Sequence, residues 1–305
     1  MKLIAETPRL FIHEFSDSDA PFIIELLNTK GWLDFIGNRN IRTTEDALKY
    51  LNSSIYSGYA ENGFGLWKVI DKITNRPVGM CGLLKRKDLD HADIGFALMP
   101  EFIGKGYGQE ASAAVLKLAS EKFNIDEVWA ITDPANTKSI NLLLKSGFGF
   151  KQTIRMHSGN ELLLLFSNKI SSTDERTIHL ISSRFFAAFG NRHGKGPHLH
   201  LLSDFCIEKA TIVKANNGNN EVADLKGFIT PRQKILTNGS LVDFEEEEIN
   251  ADTIIHGNIA SRISYYHKSG VLNGEKFAAD GIKIFSFCKL DNSWKIASVV
   301  WQDLD

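Results

Sequence analysis

Residues 9–15 alternate apolar and polar side chains well enough for a first strand. Ser16-Asp17-Ser18-Asp19 then supplies an N-cap for a helix over 20–28. A second helix follows Thr43-Thr44-Glu45-Asp46 and runs through Tyr50 and Leu51 toward Tyr59. Residues 65–71 and 77–84 are predicted to pair as a hairpin around Thr74-Asn75-Arg76. A strand from Asp93, a stop at Pro100, a glycine-dense turn and a long helix through Ala119 and Phe123 come next. They lead to a strand over 128–132, a short helix after Asn136 and a strand over 161–166. Past a polar stretch, Ile178, Ile181, Phe185, Phe186 and Phe189 recur at helical spacing. A short helix over 199–202, a strand over 206–215, an Asn/Gly turn cluster over 216–220 and a helix over 222–237 follow. The rest reads as strands over 241–250, 253–267, 281–290 and 294–302.

A chain of 305 residues is long for one domain. The polar stretch divides it into a first domain over 1–168, a linker over 169–173 and a second domain over 174–305. A 43% hydrophobic and 24% charged composition suffices for two cores. Basic and acidic residues balance in both halves, so nucleic acid is not an expected partner. Cys81, Cys206 and Cys288 are far apart and lack CxxC spacing, which favours free thiols in a reducing compartment over disulfides or zinc. Neither a signal-peptide core nor a membrane-length apolar run is present, so a cytoplasmic protein without membrane association is expected.

The candidate chemistry centres on Gly104-Lys105-Gly106-Tyr107-Gly108-Gln109. Alternate glycines permit positive φ and close approach of a ligand to the backbone. The following helix points its unpaired N–H groups and the positive end of its dipole at the turn, so an anion such as pyrophosphate fits. A dinucleotide fingerprint would need glycine where Gln109 stands, and a Walker loop would need Gly-Lys-Ser/Thr.

Strand, glycine turn and helix, then a strand ending Ala130-Ile131-Thr132, Asn136-Thr137-Lys138-Ser139 and Lys145-Ser146-Gly147-Phe148, resemble the GNAT superfamily of acetyl-CoA-dependent N-acetyltransferases. Thr7-Pro8-Arg9-Leu10 and Ile94-Gly95-Phe96 resemble its RimJ/RimL-like branch. The resemblance implies a mixed-sheet α/β fold and acetyl-CoA as co-substrate, with no metal. Gly104, Lys105, Gly106, Tyr107, Gly108 and Gln109 would offer backbone N–H groups to pyrophosphate. Phe96, Ala97 and Leu98 would pair with the pantetheine arm and hold the thioester oxygen, and Asn136 would contact the coenzyme. Two positions depart from the pattern: Ile103 replaces a phosphate-binding side chain, and Leu143 stands where many relatives place a Tyr that protonates the thiolate. By the same resemblance Ser139 would be the substitute donor.

Asp93 and His91 are candidate relays for the amine proton. Trp32, Asp34, Phe35 and Trp67 are candidate walls of an acceptor pocket. The acceptor would be a small-molecule amine or a protein N-terminus. A non-catalytic acyl-CoA sensor is the alternative, motivated by Ile103 and Leu143.

The element order of the second half resembles the nuclear-transport-factor-two-like (SnoaL-like) α+β cone, so the fold class expected is two α/β (α+β) domains. Such a module implies homodimerisation or ligand binding, with isomerase or hydrolase chemistry in the cone as a further alternative. Tyr265, His267, Asp280 and Trp301 are the residues expected to reach that cavity. His193, His198 and His200 are read as solvated or capping side chains. Glu245 to Glu248 are read as a solvated strand edge.

Overall fold

The computed structural model describes residues 2–156, 161–170, 173–215 and 220–304. The chain divides into two compact units, Met1–Ser172 and Thr173–Asp305. Ser171 and Ser172 of the expected linker and residues 216–219 of the expected turn cluster lie outside the described residues.

In the first unit β1 (Leu3–Glu6) and β2 (Leu10–His13) precede four helical pieces, α1 (Ala20–Leu27), α2 (Lys30–Phe35), α3 (Thr44–Tyr50) and α4 (Ser57–Asn62). Then come β3 (Leu66–Asp71), β4 (Pro77–Leu84), β5 (Asp93–Leu98), α5 (Tyr107–Phe123), β6 (Trp129–Thr132), α6 (Thr137–Lys145), β7 (Gly149–Arg155) and β8 (Leu162–Ser167). The eight strands form one mixed sheet in the order β1-β2-β3-β4-β5-β6-β8-β7. The sequence reading has no strand at β1, and further differences concern this unit. The expected helix toward Tyr59 winds into a π-helical stretch over Leu51–Tyr56, α2 was not anticipated, and β7 occupies a segment without strand alternation.

Helices cover both sheet faces. On one face Lys68, fully buried, is ion-paired with Asp19 at the start of α1. Lys68 pairs in register with Met80, and Met80 with Ala97, so these share that face. On the other face Cys81 reaches Ser112 of α5 at 3.9 Å, and Trp67 stacks on Phe123 of α5 with ring centroids 6.2 Å apart.

The second unit runs α7 (Asp174–Ala187), α8 (Leu202–Phe205), β9 (Cys206–Lys214), β10 (Glu221–Ala223), α9 (Leu225–Thr237), β11 (Leu241–His256), β12 (Ile259–Leu272), β13 (Glu275–Leu290) and β14 (Ser293–Leu304). Its sheet has the order β10-β9-β14-β13-β12-β11. Val222 belongs to β10 instead of a helix, because Asp224 caps α9 by accepting the Gly227 N–H at 2.7 Å. The expected strand over 253–267 is broken by a hairpin turn at Gly257, where φ is +56°.

One face of this sheet carries an aromatic core under α7 and α9: Phe185 meets Phe285 edge-on at 5.1 Å, and Phe228 meets Trp301 at 5.7 Å. Two of the glutamates read as a solvated edge instead enter this interior. Glu246 is ion-paired with buried Lys283, and Glu248 accepts from Arg262 and from Ser264. Register places Tyr265, His267 and Asp280 on the opposite face, with His267 and Asp280 2.7 Å apart there, so of the four cavity candidates only Trp301 points inward. His193 and His200 are exposed, and His198 and His200 lie with ring centroids 6.1 Å apart.

Candidate active site

A break in the sheet builds the site. Strand β5 is paired with β4 along its whole length, from Leu84↔Asp93 to Gly79↔Leu98. On its other flank it meets β6 in parallel at the single pair Asp93↔Trp129. Beyond that pair the strands part. The Met99 N–H donates to the Val78 carbonyl at 2.9 Å, so by alternation the amides of Gly95 and Ala97 turn toward β4. Those of Phe96 and Leu98 therefore face the gap. Main-chain donors left off the sheet ladder need partners, so this edge can receive an extended polar ligand.

The gap opens into a cavity of about 420 Å³. Gly95, Phe96 and Ala97 of β5, the end of β6, and Asn136, Ser139 and Leu143 of α6 line one part of it; Trp32, Phe35, Tyr50 and Ser54 line another. Gly95 leaves room there, since a Cβ on it would lie 3.0 Å from Leu84 and 3.2 Å from Leu66 side-chain carbons.

The glycine turn lies past the C-terminal end of β5. Gly104 and Gly106 adopt φ of +80° and +82°, the left-handed region that a side chain would strain. The first backbone bond of α5 runs from Glu110 N–H to the Gly106 carbonyl at 3.1 Å, so the amides of Tyr107, Gly108 and Gln109 project from the helix end. Gly104, Lys105 and Gly106 are exposed, which leaves this cradle open to an anion. Gly108 has a different reason to be glycine: a Cβ would sit 3.2 Å from Leu142 and 3.3 Å from Leu98, where α5 crosses α6 and β5. The Gln109 side chain donates to the Lys145 carbonyl at 3.4 Å and so joins α5 to α6.

A polar clamp holds the turn from behind. Glu110 accepts from Thr7 Oγ1 at 2.6 Å, from Arg9 N–H at 2.9 Å and from Arg9 Nε at 2.6 Å. Arg9 also donates to the Lys105 carbonyl at 3.0 Å, with its guanidinium 4.6 Å from the centre of the Tyr107 ring. The Tyr107 hydroxyl donates to Asp71 at 2.9 Å. Burial raises the Glu110 pKa, but the hydrogen bonds from Thr7 and Arg9 outweigh it and hold the carboxyl below its ordinary value. Sequence reasoning did not find this clamp. An acid in the first turn of a helix is a common signal, and nothing local announces a partner a hundred positions upstream.

Asp93 lines the cavity but is not the exposed acid its position at a strand start suggests. It is 1% exposed, and Arg86 Nε lies 3.1 and 3.0 Å from its two oxygens. Burial pushes its pKa up, against the pull of Arg86. His91, by contrast, is not in the cavity wall: its ring packs 4.8 Å from that of Trp129, with Glu127 3.7 Å away. Trp32 and Phe35 line the cavity, whereas Asp34 and Trp67 do not. Asp34 turns outward to Lys30, one helical turn before it. Strand alternation puts Leu66 and Lys68 on the cavity face and sends Trp67 to the α5 side. Asn136 Oδ1 accepts the Ser139 N–H at 3.1 Å and caps α6, which sets both residues at the cavity edge. Arg39, Tyr50, Arg86, Asp133 and Glu161 also line it and were not anticipated. No cluster of metal-binding side chains occurs among the described residues.

Residues 9–149 match the family model of an acetyltransferase (GNAT) domain. The chain is 28% identical over 156 residues to the uncharacterized protein YkkB of Bacillus subtilis (strain 168), covering 50% of this chain and 88% of that one. It is 25% identical over 156 residues to the uncharacterized N-acetyltransferase YoaA of the same strain, covering 50% and 87%. Among solved structures, a GNAT-family acetyltransferase from Bacillus anthracis aligns at a TM-score of 0.45 and 24% identity, over 55% of this chain and 97% of that chain. RimL, a ribosomal L7/L12 alpha-N-protein acetyltransferase in complex with coenzyme A, aligns at 0.48 and 15%, over 54% and 97%. The N-terminal half is a GNAT acetyltransferase domain, and the chain carries an acyltransferase.

Proposed function

We propose that this protein transfers acetyl from acetyl-CoA to a primary amine by direct attack, and that the parted strands β5 and β6 are where donor and acceptor meet. That break carries the reading: it supplies an unpaired strand edge, a cavity beside it and an anion cradle at its end. Each matches one part of the donor. The amides of Tyr107, Gly108 and Gln109, with Gly104, Lys105 and Gly106, receive the pyrophosphate. The edge of Phe96, Ala97 and Leu98 takes the pantetheine amides, and a main-chain N–H there faces the thioester oxygen as negative charge develops on it. Asn136 borders the coenzyme.

In the reaction the amine nitrogen bonds to the acetyl carbon, the carbon–sulfur bond breaks, the amine loses a proton and the sulfur gains one. Asp93, buried and raised in pKa, accepts the amine proton, directly or through water. Ser139 serves the sulfur, since Leu143 beside it has no proton to give. A sensor of acyl-CoA is the second reading, and Leu143 in the cavity wall is the observation that favours it.

The RimJ/RimL-like branch is supported by Thr7 and Arg9, which brace the glycine turn through Glu110. The second unit, with helices over one face of a strongly paired sheet, fits the SnoaL-like cone. Its opposite face exposes Ile254, Ile263, Ile284 and Val300, which suits homodimerisation. Cys81 and Cys206 are buried thiols, each pushed up to about 12 by burial, in keeping with a reducing cytoplasmic setting. Among the described residues no helix is long and apolar enough to cross a membrane. The test is thiol release from acetyl-CoA over a panel of small amines and N-terminal peptides. Amine-dependent release supports the enzyme reading; saturable binding with no release for any amine supports the sensor instead.

A further inference from the structure

The cavity wall carries several hydrogen-bond donors. Trp32 is 5% exposed, lines the cavity, and its Nε1–H has no hydrogen-bond partner. An indole N–H can only donate, and a buried donor without a partner is rare enough to need a cause. Tyr50 stands at the junction of α3 and the π-helical stretch, which also presents Ser54 and Ile55 to the cavity. Wide turns of this kind recur at functional sites because they re-aim side chains. The Tyr50 phenol lies within electrostatic reach of both Arg39 and Arg86. Arg39 is exposed, and Arg86 directs Nε at Asp93 while its side chain remains 39% exposed. Two guanidiniums, an indole N–H and a phenol thus line one cavity, and three of the four cannot accept.

The acidic wall residues are distributed differently. Asp93 is engaged with Arg86. Asp133 follows the last residue of β6, and Glu161 precedes β8, whose Leu164 pairs with that last residue, Thr132. Arg86 and Asp93 belong instead to the opposite end, where Asp93 pairs with Trp129. The two ends of β6 are roughly 10 Å apart at about 3.3 Å per residue. Arg86, with its partner Asp93, thus stands at one end of β6, and Asp133 and Glu161 stand at the other.

We infer that the acceptor amine carries an anionic group, a carboxylate or a phosphate, which is received by Trp32 Nε1–H, Arg39 and Arg86 beside Tyr50. The inference rests on the acetyltransferase reading and narrows it: the acceptor is a zwitterion of amino-acid or aminoalkyl-phosphate type, not a polyamine or a neutral-bodied amine. Planar guanidiniums bind either oxyanion with two parallel hydrogen bonds, and the indole adds direction. Arg39, Trp32 and Tyr50 act as specificity residues, holding the far end of the acceptor while its amine faces the β5 edge.

The test follows the Trp32 indole N–H resonance of the ¹⁵N-labelled full chain in the presence of coenzyme A, assigned by its loss in Trp32→Phe. Two probe pairs differ only in the anion: L-phenylalanine against 2-phenylethylamine, and 2-aminoethyl phosphate against ethanolamine. A saturable downfield shift is expected with at least one anion-bearing member and none with its counterpart that lacks the anion; which pair responds distinguishes carboxylate from phosphate. In Arg39→Gln, a change at an exposed position, the dissociation constant should rise at least tenfold. Equal responses to the members with and without the anion, no response to either anion, or an unchanged affinity in Arg39→Gln would overturn it. Acetyl-CoA titration of the same sample separates the two levels. Saturable acetyl-CoA binding without anion discrimination overturns this inference alone, whereas absent acetyl-CoA binding overturns the acetyltransferase reading beneath it.

Discussion

The two units treat their sheets in opposite ways. In the second, β11 to β14 pair over long stretches, and charged groups turned inward are paired within the sheet, Lys283 with Glu246 and Arg262 with Glu248, while the Tyr266 hydroxyl donates to Asp303 at 2.6 Å. In the first, the ladder stops after one pair between β5 and β6, and the polar groups at the break turn toward a cavity. Buried polarity by itself therefore does not mark a reactive site. What separates the two is whether the partners lie within the protein or are left for a ligand.

Substitutions in each unit sharpen that contrast. The largest effect belongs to Lys283→Met. It leaves Glu246 buried without its cation, which should cost about 3–5 kcal/mol in the unfolding of the second unit, while Lys283→Met with Glu246→Leu should recover most of the loss. Denaturant unfolding of single and double variants measures both. If the single variant unfolds like the parent, the interior pair is not the closed system described here.

Asp93→Asn comes next. It should lower kcat/KM about 100-fold, roughly 2.7 kcal/mol, with little change in acetyl-CoA affinity. The pH dependence has a definite sign. The native pKa of Asp93 lies above its ordinary 3.8, so its protonation favours the folded state. Its contribution to stability is fully present below 3.8 and is lost as pH rises through the raised native value; Asp93→Asn should flatten that dependence. As a base it must be ionised, so activity should fall as pH drops through the same raised value.

Gly281→Ala tests how tightly the second sheet is closed. A Cβ there would lie 2.3 Å from the Tyr266 ring, which is itself fully buried, and the overpacking should cost about 2 kcal/mol. Thermal unfolding reads it out, with acetyl-CoA binding unaffected.

Glu110→Gln is the mildest. It should raise the dissociation constant for acetyl-CoA about fivefold, about 1 kcal/mol, by loosening the hold of Arg9 on the Lys105 carbonyl. Glu110 has a depressed native pKa, so its stabilising contribution is present above 4.5 and is lost as pH falls through the native value; the glutamine variant should lack that loss.

Much of this arrangement was legible in the residues. The glycine turn, β5 and α5 are local signals, because positive φ, strand alternation and a helix start are each written within a few positions. The Asn136-x-x-Ser139 cap is equally local. What was not legible depends on pairing at a distance. Whether Trp67 faces cavity or core is decided by the register of β3 on β4, and the partner of Asp93 is decided by the path of the loop that carries Arg86. The π-helical stretch that follows Tyr50 and presents Ser54 leaves no distinct periodicity in so short a segment. In the second unit Glu246 and Glu248 read as solvent-facing because charge is normally exposed, yet their cations arrive from β12 and β13.

The central claim is that the break beside β5 and the turn at its end hold acetyl-CoA. Calorimetric titration of acetyl-CoA into the full chain and into Gly106→Glu tests it most directly. A glutamate there would put a side chain at φ +82° and a negative charge in the anion cradle, with its Cβ 3.2 Å from Arg9 Nη2. Saturable one-to-one binding to the parent is expected, weakened at least 100-fold in the variant, with the unfolding of the second unit unchanged. Absence of binding to the folded parent, or equal binding to both, would contradict it.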